Sequence, residues 1–473
     1  MLFHTPEFIA LMIVSMALFY AFPRWRIPIL TVANMVFYVV AGLGNLILFL
    51  VMTAFTYYCS KALRGRYARF MIAFSIIVCL ANLVFFKYTT FLIRSAENWF
   101  SVKLLTENSF LLQIVLPIGI SFYTFQMIAY LVDVYKGRWE PAQSLLRFWV
   151  FISFYAHLVA GPIMRGKEFM PQIDGIGKIR YSAANFRLGA FFLSLGIFKK
   201  VVLADYLTPH VDSFFTHTPT LTGAEGWIGA YLFAFQIFYD FSAYSEMALG
   251  IAYFFGMELA VNFRTPYLST NPGEFWKRWH ITLSNWIRDY IYIPLGGSRK
   301  GEMRSYVNVF IAMTLSGIWH GASWNFVAWG MFYGLLAALH RLYNIVKKKL
   351  RLDFLDGSLI YKFVAIIVFF HITCIAWVLF RVTSLHDALQ LIGRMLSPSA
   401  FQFAGLRFYF AMIVLLFVLH IAEYFLHKHR IGLGDWWHRY FPAPVRAVLY
   451  TAVVAVLILF LKGEQNTFIY FQF

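Results

Sequence analysis

Charge is scarce in this 473-residue chain: only 13% of its residues are Asp, Glu, Lys or Arg, against roughly 25% in soluble globular domains. With 60% of the residues hydrophobic, that scarcity excludes a single soluble core, because a soluble fold of this length cannot bury so much apolar surface. Cysteine is scarcer still. Cys59, Cys79 and Cys374 all fall in apolar stretches without CxxC or metal-type spacing, so they are read as small packed hydrophobes rather than redox groups or metal ligands. A glycine-rich phosphate loop, a metal-spaced His/Cys set and a Ser-His-Asp module outside the apolar runs are all missing. The opening residues, Met-Leu-Phe-His-Thr-Pro-Glu-Phe, have no basic stretch and no small-residue cleavage site after them. They read as a retained first span rather than a signal peptide. Internal repeats, low-complexity tracts and linkers are also absent, so residues 1–473 are read as one domain.

What is present is apolar and aromatic. Mean hydropathy is +0.66 and aromatics make up 20% of the chain, 53 of them Phe, as lipid-facing and interfacial surfaces allow. A helical span needs about 20 largely apolar residues. Candidate runs are Phe8–Phe22, Ile27–Ala41, Leu46–Tyr58, Phe70–Phe86, Ile114–Tyr135, Leu146–Ala160, Leu188–Leu203, Ile228–Phe255, Val307–Leu339, Val364–Phe380, Phe408–Leu426 and Val445–Leu461. Val307–Leu339 is too long for one straight helix and contains Gly317, Gly321 and Gly330, so a break or re-entrant pair is expected there. The fold class is therefore an all-α polytopic membrane protein, with roughly ten to twelve spans and interfacial or re-entrant helices forming a central funnel.

The formal charge of +18 sits in short clusters between apolar runs: Lys61–Arg69, Arg299–Arg304, Lys347–Arg351 and Lys428–Arg430. Nucleic-acid binding would need a basic stripe on a polar face; these clusters instead have the positive-inside pattern of cytoplasmic loops. The partner implied is a lipid bilayer. Arg24, Arg26 and Lys61–Arg69 bracket a hairpin with both ends cytoplasmic, and both ends of the sequence are then expected on the extracytoplasmic side.

Thr265–Gly297 interrupts this pattern. Trp276, Trp279, Leu283, Trp286 and Ile287 recur at helical spacing, while Lys277, Arg278, Arg288 and Asp289 take other faces. The expectation is an amphipathic helix too polar to span, lying at the interface or dipping into a protein-lined funnel. Ionisable groups inside apolar runs are costly and default to functional candidates. Here they are Asp240, Glu246, His320, His371 and His420. His371 and His420 stand alone and read as histidines bonded to a neighbouring helix. Asp240 and Glu246, in Phe-Tyr-Asp-Phe-Ser-Ala-Tyr-Ser-Glu, read as a polar network or as catalytic groups. His320 lies in Ser316-Gly-Ile-Trp319-His320-Gly-Ala-Ser-Trp-Asn325. Small residues on both sides let another backbone or a thin substrate approach it, and two tryptophans can wall it.

Trp276-Lys-Arg-Trp-His280, followed by Trp319-His320-Gly321, resembles the membrane-bound O-acyltransferase superfamily. The longer strings Asn271–Gly297 and Ser316–Asn325 are similar to its bacterial branch, which O-acetylates alginate, peptidoglycan and cellulose. Leu116-Pro-Ile-Gly-Ile-Ser-Phe-Tyr-Thr-Phe-Gln, Ala160-Gly-Pro-Ile and Phe235-Gln-Ile-Phe-Tyr-Asp-Phe-Ser-Ala-Tyr-Ser-Glu extend the likeness over nearly the whole chain. One departure is His157, where relatives commonly carry a proline-containing apolar string.

The resemblance implies a bacterial inner-membrane enzyme with acetyl-CoA as donor substrate and no permanently bound cofactor. His320 would be the general base, and His280 would orient the acyl group or polarise the thioester carbonyl. Trp276, Arg278, Asp289, Ser316, Trp319 and Asn325 would line the site. It also implies an SGNH-type esterase or transferase partner outside the membrane. The closing string Asn466–Phe473 resembles the family's aromatic motif, which implies Tyr470 as an acyl acceptor; an interfacial aromatic anchor is the plainer alternative. A transporter or flippase for a polysaccharide intermediate is the rival reading. Transporters often carry paired broken helices in internal repeats, which this sequence lacks.

Overall fold

The computed structural model describes residues 3–106, 109–397, 405–460 and 468, and all regular structure among them is helical. The chain divides into two compact units: residues 1–196 with 244–261, and residues 197–243 with 262–473.

The first unit holds α1 (Pro6–Ala21), α2 (Arg26–Val39), α3 (Leu43–Ala62), α4 (Ala68–Phe100), α5 (Ile120–Tyr135), α6 (Leu145–Ser153), α7 (Tyr155–Leu158), α8 (Gly166–Asp174) and α9 (Ala183–Ile197). α1 and α2 are bent by 116° at Phe22. Arg26, expected in a cytoplasmic loop, is instead buried at this bend. Its guanidinium donates to the carbonyls of Phe19, Ile176 and Ile179 at 3.0, 2.7 and 3.0 Å. The run Leu146–Ala160 is not one span. It breaks at Phe154, and the Asn34 amide bridges the break by donating to Ser153 Oγ and accepting from the Tyr155 N–H.

The second unit holds α10 (Asp205–Phe215), most of α11 (Gly223–Phe254), α12 (Pro272–Phe275), α13 (Ile281–Ile287), α14 (Glu302–His320), α15 (Trp324–Lys349), α16 (Leu359–Arg381), α17 (Leu385–Met395), α18 (Arg407–Tyr440) and α19 (Ala443–Phe460). The expected break in Val307–Leu339 falls at residues 321–323. A Cβ on Gly317 would lie 2.2 Å from the Phe326 carbonyl oxygen, and one on Gly330 would lie 2.5 Å from that of Met313. These glycines bring the two helix backbones into contact.

Among the described residues, four helices are long and apolar enough to cross a bilayer: Leu43–Ala62, Ala68–Phe100, Leu359–Arg381 and Arg407–His429, or five if the bent α1–α2 pair counts as one. The ten to twelve spans expected from the apolar runs are not reached by this measure. Several runs are split by breaks or π-helical turns, as at Phe198–Ala204.

Candidate active site

The amphipathic helix expected from the spacing of Trp276, Trp279, Leu283, Trp286 and Ile287 is interrupted at His280, which stands at φ +42° ahead of α13. A non-glycine residue in the left-handed region needs its surroundings to hold it there. Here the loop residue Asn262 does so. Its carbonyl accepts from the Ile281 N–H at 2.9 Å, and its side-chain Oδ1 accepts from the Thr282 N–H and hydroxyl at 3.2 and 3.0 Å. The same Oδ1 lies 3.2 Å from His280 Nδ1. Because the Thr282 N–H must donate, the facing Asn262 atom is oxygen, and His280 Nδ1 therefore carries its proton. Nε2 is then the acceptor nitrogen of a neutral ring. A ring in this tautomer takes a proton at Nε2 and does not donate one there, so it does not polarise a thioester carbonyl through that atom.

His280 is fully buried in aromatic walls. The Phe241 ring meets it edge-on at 4.7 Å, and Trp319 lies 5.9 Å away between centroids. Trp319 is 5.1 Å from the ring of His320, the last residue of α14. His320 is buried against Trp329 at 4.9 Å and Phe380 at 5.4 Å. Trp276 closes the cluster through Trp329 at 5.8 Å. The structure thus gathers His280, His320, Trp276 and Trp319 in one apolar enclosure. Trp324, which the spacing suggested as a wall, is exposed at the start of α15; Trp329, five residues on in the same helix, takes that place. The small residues beside His320 are filled by the chain itself, since a Cβ on Gly321 would lie 2.1 Å from the Phe326 ring.

The remaining candidates hold the frame. Arg278 pairs with Glu274 at 2.6 Å, and its carbonyl accepts from the Arg264 N–H at 2.9 Å. Burial pushes the Glu274 carboxyl up, but hydrogen bonds from Thr270 and the Arg278 charge outweigh it and hold the group below its ordinary value. Asn325 donates to the Val382 carbonyl at 2.7 Å, tying α15 to the end of α16. Asp289 pairs with the adjacent Arg288 at 2.7 Å. Ser316 is buried one turn before His320. Tyr470 lies outside the described residues. Phe468, two positions earlier, is 2% exposed and packs 5.9 Å from Phe241, the ring that walls His280.

Asp240 shares Lys200 with Asp205, at 2.9 and 2.8 Å, which is the polar-network reading. His371 donates from Nδ1 to the Ile367 carbonyl of its own helix at 2.7 Å and packs on Trp227. His420 meets Phe238 edge-on at 4.8 Å. Glu246 is buried within the first unit. His157, also there, donates from Nε2 to the Phe151 carbonyl at 3.0 Å. The three cysteines are free and buried.

Residues 141–382, just over half of the chain, match the model of the membrane-bound O-acyltransferase family. The chain is 32% identical to the probable alginate O-acetylase AlgI of Pseudomonas putida, over 95% of both chains. It is 33% identical to the peptidoglycan O-acetyltransferase of Helicobacter pylori, over 77% of this chain and 73% of the relative. A teichoic acid D-alanyltransferase of Bacillus subtilis is 24% identical over 57% of this chain and 69% of the relative.

Proposed function

The chain belongs to the membrane-bound O-acyltransferase family and is an acyltransferase, and we propose that it takes acetyl from acetyl-CoA and passes it across the inner membrane for O-acetylation of an exported polysaccharide. The observation that carries this reading is the enclosure holding His280 and His320 with Phe468 packed on its wall. The names of two relatives, an alginate O-acetylase and a peptidoglycan O-acetyltransferase, support a polysaccharide as final acceptor.

The first step places Tyr470 as nucleophile. His320 takes the phenolic proton, the phenolate oxygen attacks the thioester carbonyl carbon, and the carbon–sulfur bond breaks. The imidazolium then returns the proton to the leaving thiolate, so coenzyme A leaves as a thiol. A phenol of pKa about 10 is close to a thiol of about 8.5 as a leaving group, so the tyrosyl ester keeps much of the thioester's reactivity. In the second step a hydroxyl, brought by an SGNH-type partner outside the membrane, attacks the acetyl carbonyl carbon, the bond to the Tyr470 phenolic oxygen breaks, and the hydroxyl's proton passes to the leaving phenolate, so Tyr470 is restored as a phenol. His280, with its Nε2 acceptor, receives a hydrogen bond from a hydroxyl entering the enclosure and orients it.

The test is release of coenzyme A thiol from acetyl-CoA by the purified chain. His320→Ala should lose at least about 10²-fold in rate, the lower range of general-base contributions, with membrane abundance unchanged. Wild-type turnover by His320→Ala would sink this mechanism. Absence of thiol release by the wild-type chain would return the transporter reading.

A further inference from the structure

Where α16 begins, the end of α15 and the turn that joins the two helices border a cavity of about 390 Å³. Asn344, Lys347 and Lys348 line it from α15, Asp353 and Asp356 from the turn, and Tyr361 from the first turn of α16. We propose that this cavity holds the headgroup of a membrane phospholipid that carries a primary amine, of the phosphoethanolamine type, with its acyl chains laid along α16.

The charges of the lining favour a zwitterion. Two lysines and two aspartates line the cavity, so their formal charges cancel and a purely anionic ligand gains no net attraction there. One pair is already made: Lys347 donates to Asp356 at 2.5 Å, and its ammonium lies 5.5 Å from the centre of the Tyr361 ring. One cation and one anion remain. Lys348 and Asp353 are both exposed, and among the described residues neither has an ion-pair partner. Lys348 offers N–H donors to phosphate oxygens, and the Asp353 carboxylate accepts from an ammonium. A phosphoethanolamine headgroup uses both. A phosphoglycerol headgroup leaves Asp353 without a cation, and a quaternary choline has no N–H to donate to it.

The surroundings favour a lipid over a soluble aminophosphate. α16 is long and apolar enough to cross a bilayer, and Tyr361 is its third residue. The cavity therefore lies at the end of a span, the level at which headgroups sit. The Tyr361 and Tyr343 hydroxyls bond to one another at 3.0 Å, an amphipathic pair suited to that interface. Residues three and seven positions along a helix share a face. From Tyr361 these are Val364 and Val368, 50% and 52% exposed, and Leu359, Ile360 and Phe363 beside them are more exposed still. An apolar track thus leads from the charged cavity along the span. A soluble ligand has no use for it, and a pair of acyl chains does.

The experiment is native mass spectrometry of the purified full chain in detergent. It is titrated with phosphatidylethanolamine, phosphatidylglycerol and phosphatidylcholine of identical acyl chains, and with glycerophosphoethanolamine, which has the headgroup and no chains. The wild-type chain should bind one phosphatidylethanolamine about tenfold more tightly than either of the other lipids. Glycerophosphoethanolamine should displace it only at a concentration at least about tenfold higher than phosphatidylethanolamine itself requires. Lys348→Glu and Asp353→Lys alter exposed side chains and should leave the thermal midpoint unchanged. Lys348→Glu should weaken phosphatidylethanolamine binding about tenfold, and Asp353→Lys should turn the preference toward phosphatidylglycerol. Equal affinity for the three lipids, or a preference unchanged in either variant, overturns the site. Displacement by glycerophosphoethanolamine as readily as by the intact lipid overturns the lipid as occupant and gives the cavity to a soluble aminophosphate.

Discussion

A neutral imidazole is basic at only one nitrogen, so what fixes its tautomer decides what it does. For His280 that is Asn262, whose Oδ1 also serves Thr282. Asn262→Ala removes the acceptor from three donors at once. We expect a loss of about 10² in acetyl transfer, of the order of a general-base contribution, together with about 1–3 kcal/mol of stability from the stranded Thr282 N–H. Thr282→Val, which deletes only the hydroxyl donor, should stay near the wild-type rate. Comparable rates for Asn262→Ala and the wild type in a thiol-release assay would show that the tautomer is set elsewhere. His320 stood out in the sequence as an ionisable group among small residues in an apolar run, whereas His280 was singled out only through the family resemblance carried by Trp-Lys-Arg-Trp-His and Trp-His-Gly. Asn262 was legible through neither, since it lies eighteen residues before His280 in a loop and nothing in its neighbours marks it. Trp329, Phe241 and Phe380 were hidden for another reason: an aromatic in an apolar helix carries no sign of which ring it will face.

Among the elements, the reading from apolar runs placed helices well and their interruptions badly. The α14–α15 break was legible from three glycines, but their work is helix contact rather than substrate passage, because Phe326 and the opposing backbone already fill the space. Gly330→Val forces a side chain into the Met313 carbonyl, so it should cost about 1–3 kcal/mol and lower the thermal midpoint in detergent. Gly357→Ala, which meets nothing within 4 Å, should leave the midpoint unchanged. An unchanged midpoint in Gly330→Val would mean that the helix pair is not packed this closely. The turn at His280 had no such signal. Periodic tryptophans continue across Trp276–Ile287 as though the helix were unbroken, and only the Asn262 contacts reveal the φ of +42°. Phe154 is similar, since its break depends on Asn34, which is remote in sequence.

For the molecule as a whole, composition settled the solvent and left the path through it to be measured. Arg26, counted as a loop charge, is a buried clamp, so the orientation rests on the remaining basic clusters. With the native cysteines buried, single cysteines at Arg64 and Lys348 should be shielded from an impermeant thiol reagent in intact cells, and one at Ser384 should react. Labelling of the Arg64 position from outside would reverse the proposed direction of transfer. That direction gives the Asn466–Phe473 string its role: Phe468 is already seated on Phe241, and Tyr470 is two residues on. The most direct measurement is mass spectrometry of the peptide containing Tyr470 after the purified chain has met acetyl-CoA. The account predicts an acetyl group on Tyr470 in the wild-type chain and none in His320→Ala. An unmodified Tyr470, together with normal polymer acetylation by Tyr470→Phe, would contradict it.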